Sequence, residues 1–254
     1  MNSATVGKLL ARGMVAGLLA GLLALVVAYF LGEPPTEAGI AYEAAHSHEE
    51  GAELVSRAAQ STTGLATGIL VYGVGLGGIA ALAYCFALGR IGAFGPRATA
   101  ALLSLGGLLA FSVVPFLKYP ANPPAVSDPA TISQRTTLYL LMVVLSVLLA
   151  VSAVIVGKRL APRLGSWNAS VAAGVFFVLA VGLAYAFLPA VNEMPKDFPA
   201  SVVWQFRVSA IAIQATLWAG FGLVFGILAE RLLQPRESGE RIGAMEPGAV
   251  APSS

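Results

Sequence analysis

Six stretches of this chain contain no Asp, Glu, Lys or Arg: residues 13–32, 58–89, 98–117, 136–157, 164–192 and 208–229. Each is at least as long as the ~20 residues a helix needs to cross the ~30 Å hydrocarbon core of a bilayer. Barrel strands would be about half that length and would alternate apolar with polar residues, a pattern absent here. Charged residues make up only 11% of the chain and the mean hydropathy is +0.79, values foreign to a soluble globular enzyme. The expected fold is an all-α polytopic membrane protein. Six transmembrane helices are placed near 13–31, 65–88, 98–117, 137–157, 169–189 and 208–229. They form one transmembrane domain over 1–233, with an outer acidic loop at 32–63. A tail at 234–254, rich in Gly, Pro, Ser and charge, is expected to be disordered and cytoplasmic.

Lys8 and Arg12 precede the first apolar run, as they would in a signal peptide. That run is longer than the ~7–15 residues of a signal core, so an uncleaved first helix is expected. With the amino end inside, ten basic residues fall on inner segments and five on outer ones. This satisfies the positive-inside rule and puts both termini in the cytoplasm. Nine acidic residues fall outside and four inside, so the outer face has four negative charges in excess and attracts cations.

Small residues recur at four-residue spacing: Gly13, Gly17 and Gly21; Gly64 and Gly68; Gly73 and Gly77; Gly222 and Gly226. This spacing lets helix backbones approach closely in lipid. The outward-going helices also end alike. Phe30-Leu31, Phe116-Leu117 and Phe187-Leu188 are each followed by prolines, and Arg57, Arg135 and Arg207 each precede a returning helix. Three repeated helical hairpins would produce that pattern, as would interfacial anchoring of unrelated helix ends.

The first outer loop concentrates the chemistry. It holds both histidines, His46 and His48, and six of the thirteen acids, including Glu33, Glu43, Glu49 and Glu50. Imidazole and carboxylate together suit a divalent first-row metal. If the segment is helical, Glu43 with His46 and His46 with Glu50 share a face. A His46–His48 chelate with Glu49 requires extended backbone instead. A merely solvated acidic segment is the competing reading. Glu33, at the membrane edge, either marks an ion path or pairs with Arg57, Lys118, Arg135 or Arg207, and Asp128 is placed similarly. Pro115–Pro124 holds four prolines and is not expected to be a regular helix. Its carbonyls either line an ion path or form a stiff cap.

Several functions are excluded or unsupported. Cys85 is the sole cysteine, so there is no intramolecular disulfide or Cys-based zinc site. No basic stripe marks a nucleic-acid surface. A phosphate-binding Gly-x-x-x-x-Gly-Lys motif is absent, as are His-Glu-x-x-His and Gly-x-Ser-x-Gly, so the chain is not expected to be an enzyme. No charge lies mid-span, and Gln214 and Thr216 are expected to serve helix–helix hydrogen bonds.

Arg12-Gly13-Met14, Gly32-Glu33-Pro34, Ala41-Tyr42-Glu43, Val55-Ser56-Arg57-Ala58-Ala59-Gln60 and above all Pro115-Phe116-Leu117-Lys118-Tyr119-Pro120-Ala121-Asn122-Pro123-Pro124 resemble the CbtA family. The resemblance extends to about residue 232. It implies a multi-pass subunit of the bacterial inner membrane for cobalt uptake, linked to cobalamin biosynthesis. The implied partner is CbtB-like, a small His-rich single-helix membrane subunit. Co2+ would be cargo, with no cofactor bound permanently. The resemblance supplies no ligand set, so the metal ligands Glu33, Glu43, His46, His48 and Glu49 are read from the residues alone. The rival readings are a membrane scaffold or assembly partner without transport, and a transporter of nickel or another divalent cation. Homo-oligomerisation, energy source and metal selectivity stay open.

Overall fold

The computed structural model describes residues 2–46, 56–124, 126, 131–191 and 194–234. Among these there are no strands. Five helices carry an apolar stretch long enough to cross a membrane: α1 Ser3–His46, α2 Arg57–Ala87, α3 Pro96–Lys118, α4 Ile132–Phe187 and α5 Ala200–Leu233. The sequence reading expected six spans, and the difference lies in the 56-residue α4. Gly165, at φ 76° and ψ 163°, breaks its helical backbone in a region open essentially to glycine alone. The two limbs turn back on each other there. Gly157 faces Ala173, and Met142 and Val181 share one buried cluster.

In lipid, apolar side chains gain little by leaving the solvent for each other, so helices associate through close packing. The glycines supply that closeness. A Cβ on Gly17 would fall on the Gly73 carbonyl, and one on Gly77 would fall on the Gly13 carbonyl. α1 and α2 therefore cross backbone to backbone. α5 joins them at Gly220, against Ala20, and meets α3 at Gly222, against Ser104. Not every small-residue pair acts this way, since nothing lies within 4 Å of a Cβ added at Gly68. The core of these four helices centres on Tyr84, Phe221 and Phe225. Phe221 stacks on Phe225 with centroids 5.0 Å apart, and Tyr84 meets Phe225 edge-on. At the end remote from Glu33, Arg97 and Glu230 pair at 2.6 Å.

α4 packs on the outer part of α3 rather than on this core. The reason is local. Residues Leu108–Val113 form a π turn, in which the Val114 amide bonds to the Leu109 carbonyl, five residues back. In that register the partner of the Ala110 carbonyl would be Pro115, which has no N–H. Ser146 of α4 donates its hydroxyl to the Ala110 carbonyl instead. Tyr185 donates to the Val114 carbonyl, and Lys118 donates to the Tyr185 carbonyl at 2.8 Å.

A second π turn, Ala28–Gly32, precedes Pro34-Pro35 in α1. It carries the helix through those prolines to His46, where the sequence suggested a loop from residue 32. For the same reason Val114–Lys118 is helical despite Pro115. The run expected to be irregular is so only from Tyr119 onward among the described residues.

The α1–α2 crossing yields a direct expectation. Gly17→Ala overpacks a backbone contact and lowers stability by about 1–3 kcal/mol. It should reduce the melting temperature of the detergent-solubilised protein, whereas Gly68→Ala should leave it unchanged.

Candidate functional site

Among the described residues, Glu33, Glu43, His46, Arg57, Arg135 and Arg207 lie toward the end of the bundle where α1 passes Glu33. From there α1 continues as a helical arm, Glu33–His46. At the root of the arm Glu33 forms an ion pair with Arg57 at the start of α2. Of the four basic residues considered as partners for Glu33, Arg57 is the one the structure selects. Both side chains are largely covered, with 13% of Glu33 and 29% of Arg57 exposed.

The arm rests on the proline-rich loop. Gly39 is buried where a Cβ would come within 3.0 Å of the Pro124 carbonyl and 3.2 Å of Pro123. Tyr42 packs against Phe198, with ring centroids 4.7 Å apart. His46 stacks on Tyr42 at 4.1 Å, and its Nδ1 lies 2.8 Å from the Tyr42 carbonyl. A carbonyl can only accept, so this geometry puts the proton on Nδ1 and the imidazole lone pair on Nε2. The ring is exposed. Glu43 stands three residues before it on the same helix, at the spacing where helical side chains meet.

Beneath the arm, residues 119–124 are held by basic side chains from two other helices. Arg135 donates to the Pro120 carbonyl at 3.1 Å. Arg207 donates to the Ala121 carbonyl at 3.3 Å and to Asn122 Oδ1 at 3.0 Å. Tyr119 donates to the Pro189 carbonyl at 2.8 Å, and burial pushes its phenol above the ordinary value, keeping it a donor. These bonds make the loop a cap, with the Pro120 and Ala121 carbonyls engaged by guanidinium groups rather than turned to an ion.

Behind the cap lies a cavity of about 480 Å3 between α3, the first limb of α4 and α5. Tyr119 and Arg135 stand at its outer end, while Ser112 and Gln214 line it further in. Ser112 donates to Gln214 Oε1 at 3.3 Å and accepts from the Trp218 indole at 3.2 Å. This bears out the expectation of a helix–helix hydrogen bond for Gln214. No carboxylate lines the cavity among the described residues, and Arg135 and Arg207 stand at its outer end.

Of the five residues read as metal ligands, Glu33, Glu43 and His46 are described, and these three are not brought together as one site. Glu43 and His46 are neighbours on the arm. Glu33 lies ten residues earlier on the helix, roughly 15 Å away, and is occupied by Arg57. His48 and Glu49 lie outside the described residues, as do Glu50 and Asp128. Among the described residues no three of His, Cys, Asp or Glu cluster closely enough to hold an ion. Sequence reasoning missed the work of Arg135 and Arg207, although their recurrence before returning helices was the visible signal. It also missed Ser146, whose role depends on a proline in another helix.

The Glu33–Arg57 pair should behave as one unit. Glu33→Gln and Arg57→Gln are each expected to destabilise the solubilised protein. The double variant should be no worse than either single one, with a coupling of about 1–2 kcal/mol in a thermal-unfolding double-mutant cycle.

A family profile described as "Probable cobalt transporter subunit (CbtA)" matches residues 6–230. No curated protein and no solved structure matches the chain.

Proposed function

We propose, for a chain that belongs to the CbtA family, that it is the multi-pass inner-membrane subunit of a Co2+ uptake system, supplying metal for cobalamin biosynthesis. The observation that carries this reading is the state of His46. Its Nδ1–H is tied to the Tyr42 carbonyl and its ring is exposed. Metal-binding histidines use that arrangement, in which the second nitrogen's hydrogen bond orients the ring and raises its basicity. Glu43 adds a carboxylate on the same helix face.

In this reading each limb of α4 crosses the bilayer separately, since both exceed the ~20 residues required. Six crossings in three hairpins then leave both termini in the cytoplasm, on the side with the larger basic count. The acidic outer face concentrates dications. Glu43 and His46 Nε2, or His48 and Glu49 as the alternative pair, replace part of the hydration shell. Glu33 then receives the cation as Arg57 yields. Inward movement is favoured by the membrane potential, worth roughly 4.6 kcal/mol for a divalent ion per 100 mV, twice the single-charge value. A small His-rich single-helix partner would take part in the transfer.

One observation favours the alternative of a membrane assembly partner that does not itself conduct. The main cavity has arginine at its mouth and no carboxylate on its described walls. Uptake separates the two readings. Cells producing the chain with its partner subunit should accumulate labelled cobalt, and His46→Ala with Glu43→Ala should lower the rate about tenfold at limiting cobalt. Unchanged uptake in that variant would remove the arm from the mechanism. Absence of cobalt accumulation with or without the partner would support the assembly role.

A further inference from the structure

The cavity, with no carboxylate among its described lining residues, has the features of a different site. We propose that it binds an anionic phospholipid of the outer leaflet. The lipid phosphate would sit at Arg207 and Arg135, and one acyl chain would lie in the cavity.

Four observations carry the assignment. Phe116, Ala210, Ile211 and Ile213 make much of the wall apolar, with Ser112 and Gln214 as polar groups deeper in. The cavity opens sideways at Ile132 and Thr136, both exposed, because α4 packs on α3 and hardly on α5. In a bilayer that opening, level with Arg135, faces the headgroup end of the acyl chains.

The charge lies at one end. A recess of about 30 Å3 touches Arg135, Arg207 and Asn122, and it shares Tyr119 and Arg135 with the main cavity. The hydrogen-bond partners of Arg207 are neutral, the Ala121 carbonyl and Asn122 Oδ1. No carboxylate pairs with Arg207 among the described residues, and Arg135 lines the same recess. A phosphate between the two guanidinium groups would accept charge-assisted bonds.

The depth also fits. From Arg207 to Gln214 is seven residues of α5, about 10 Å, within the ~15 Å of one hydrocarbon leaflet. A headgroup at the arginines thus places its chain beside Ile211 and Gln214. Basic pockets between transmembrane helices recognise anionic lipid headgroups by this combination of charge and lateral access. A free anion would gain nothing from the apolar walls, and a zwitterionic lipid would gain less at the arginines.

Trp218 reports on the cavity, because its indole is bonded to the lining residue Ser112 and it is only 5% exposed. The other two tryptophans, Trp167 and Trp204, are exposed and can be replaced by Phe. The test uses the full chain in detergent with Trp218 as sole tryptophan. It is titrated with phosphatidylglycerol carrying brominated acyl chains, or with phosphatidylcholine brominated identically.

Phosphatidylglycerol should quench Trp218 saturably, at a concentration about tenfold lower than phosphatidylcholine, the difference worth one charge-assisted contact. Ala210→Phe, which fills the cavity, should reduce quenching by both lipids to the same low level. Arg207→Gln should leave the chain site but abolish the preference for the anionic lipid. If Ala210→Phe does not elute like the parent on size exclusion, Ala210→Leu takes its place. Equal quenching by the two lipids in the parent would overturn the proposal. So would a phosphatidylglycerol preference that survives the cavity-filling and Arg207→Gln variants.

Discussion

Pro115 cannot donate a hydrogen bond to the Ala110 carbonyl, and much of the outer half of this protein is arranged around that fact. At membrane depth an unpartnered carbonyl costs several kcal/mol. Here the missing donor comes from another helix, through the Ser146 hydroxyl. The seam continues outward with Tyr185 on the Val114 carbonyl, Lys118 on the Tyr185 carbonyl and Tyr119 on the Pro189 carbonyl. Four polar contacts thus fix the α4 hairpin to the outer part of α3. That placement leaves room between α4 and α5 for the cavity, and it brings Arg135 up to the proline-rich loop.

The sparse charges of the outer end divide into two groups with different work. In the inner group Arg57 neutralises Glu33, and Arg135 and Arg207 brace the loop through its carbonyls. The outer group, Glu43 and His46, is carried clear of the bundle on a helical arm braced at Gly39 and Tyr42. In the proposed reading, a cation drawn to this end would meet Glu43 and His46 on the arm before it meets the arginines. The same arginines suit the mouth of the apolar cavity to an anion.

Much of the bundle was legible because its cause is local to the sequence. Uncharged runs of sufficient length can hardly be anything but helices, and Gly13, Gly17, Gly73 and Gly77 at four-residue spacing meet across one interface. Helix ends were less legible. Pro34-Pro35 and Pro115 look like breaks, but a π turn before each carries the helix onward, and nothing in composition announces a π turn. That the first limb of α4 runs on to Gly165 was hidden by the charges at Lys158–Arg163, which stay helical up to that break. Of the candidate site, the pairing of Glu33 was foreseen as one choice among four. The acceptors of Arg207 lie 85 and 86 residues away in sequence, a separation over which side-chain pairing leaves no pattern. His48, Glu49 and the tail 235–254 lie outside the described residues.

The central claim is that the arm presents His46, with its Nδ1 proton already committed, as the first ligand for the metal. Equilibrium Co2+ binding to the full chain in lipid nanodiscs, followed by calorimetry, tests it most directly. The parent should bind Co2+, Arg207→Gln should bind it unimpaired, and His46→Ala should lose the site. Equal Co2+ affinity in the parent and in His46→Ala would contradict it.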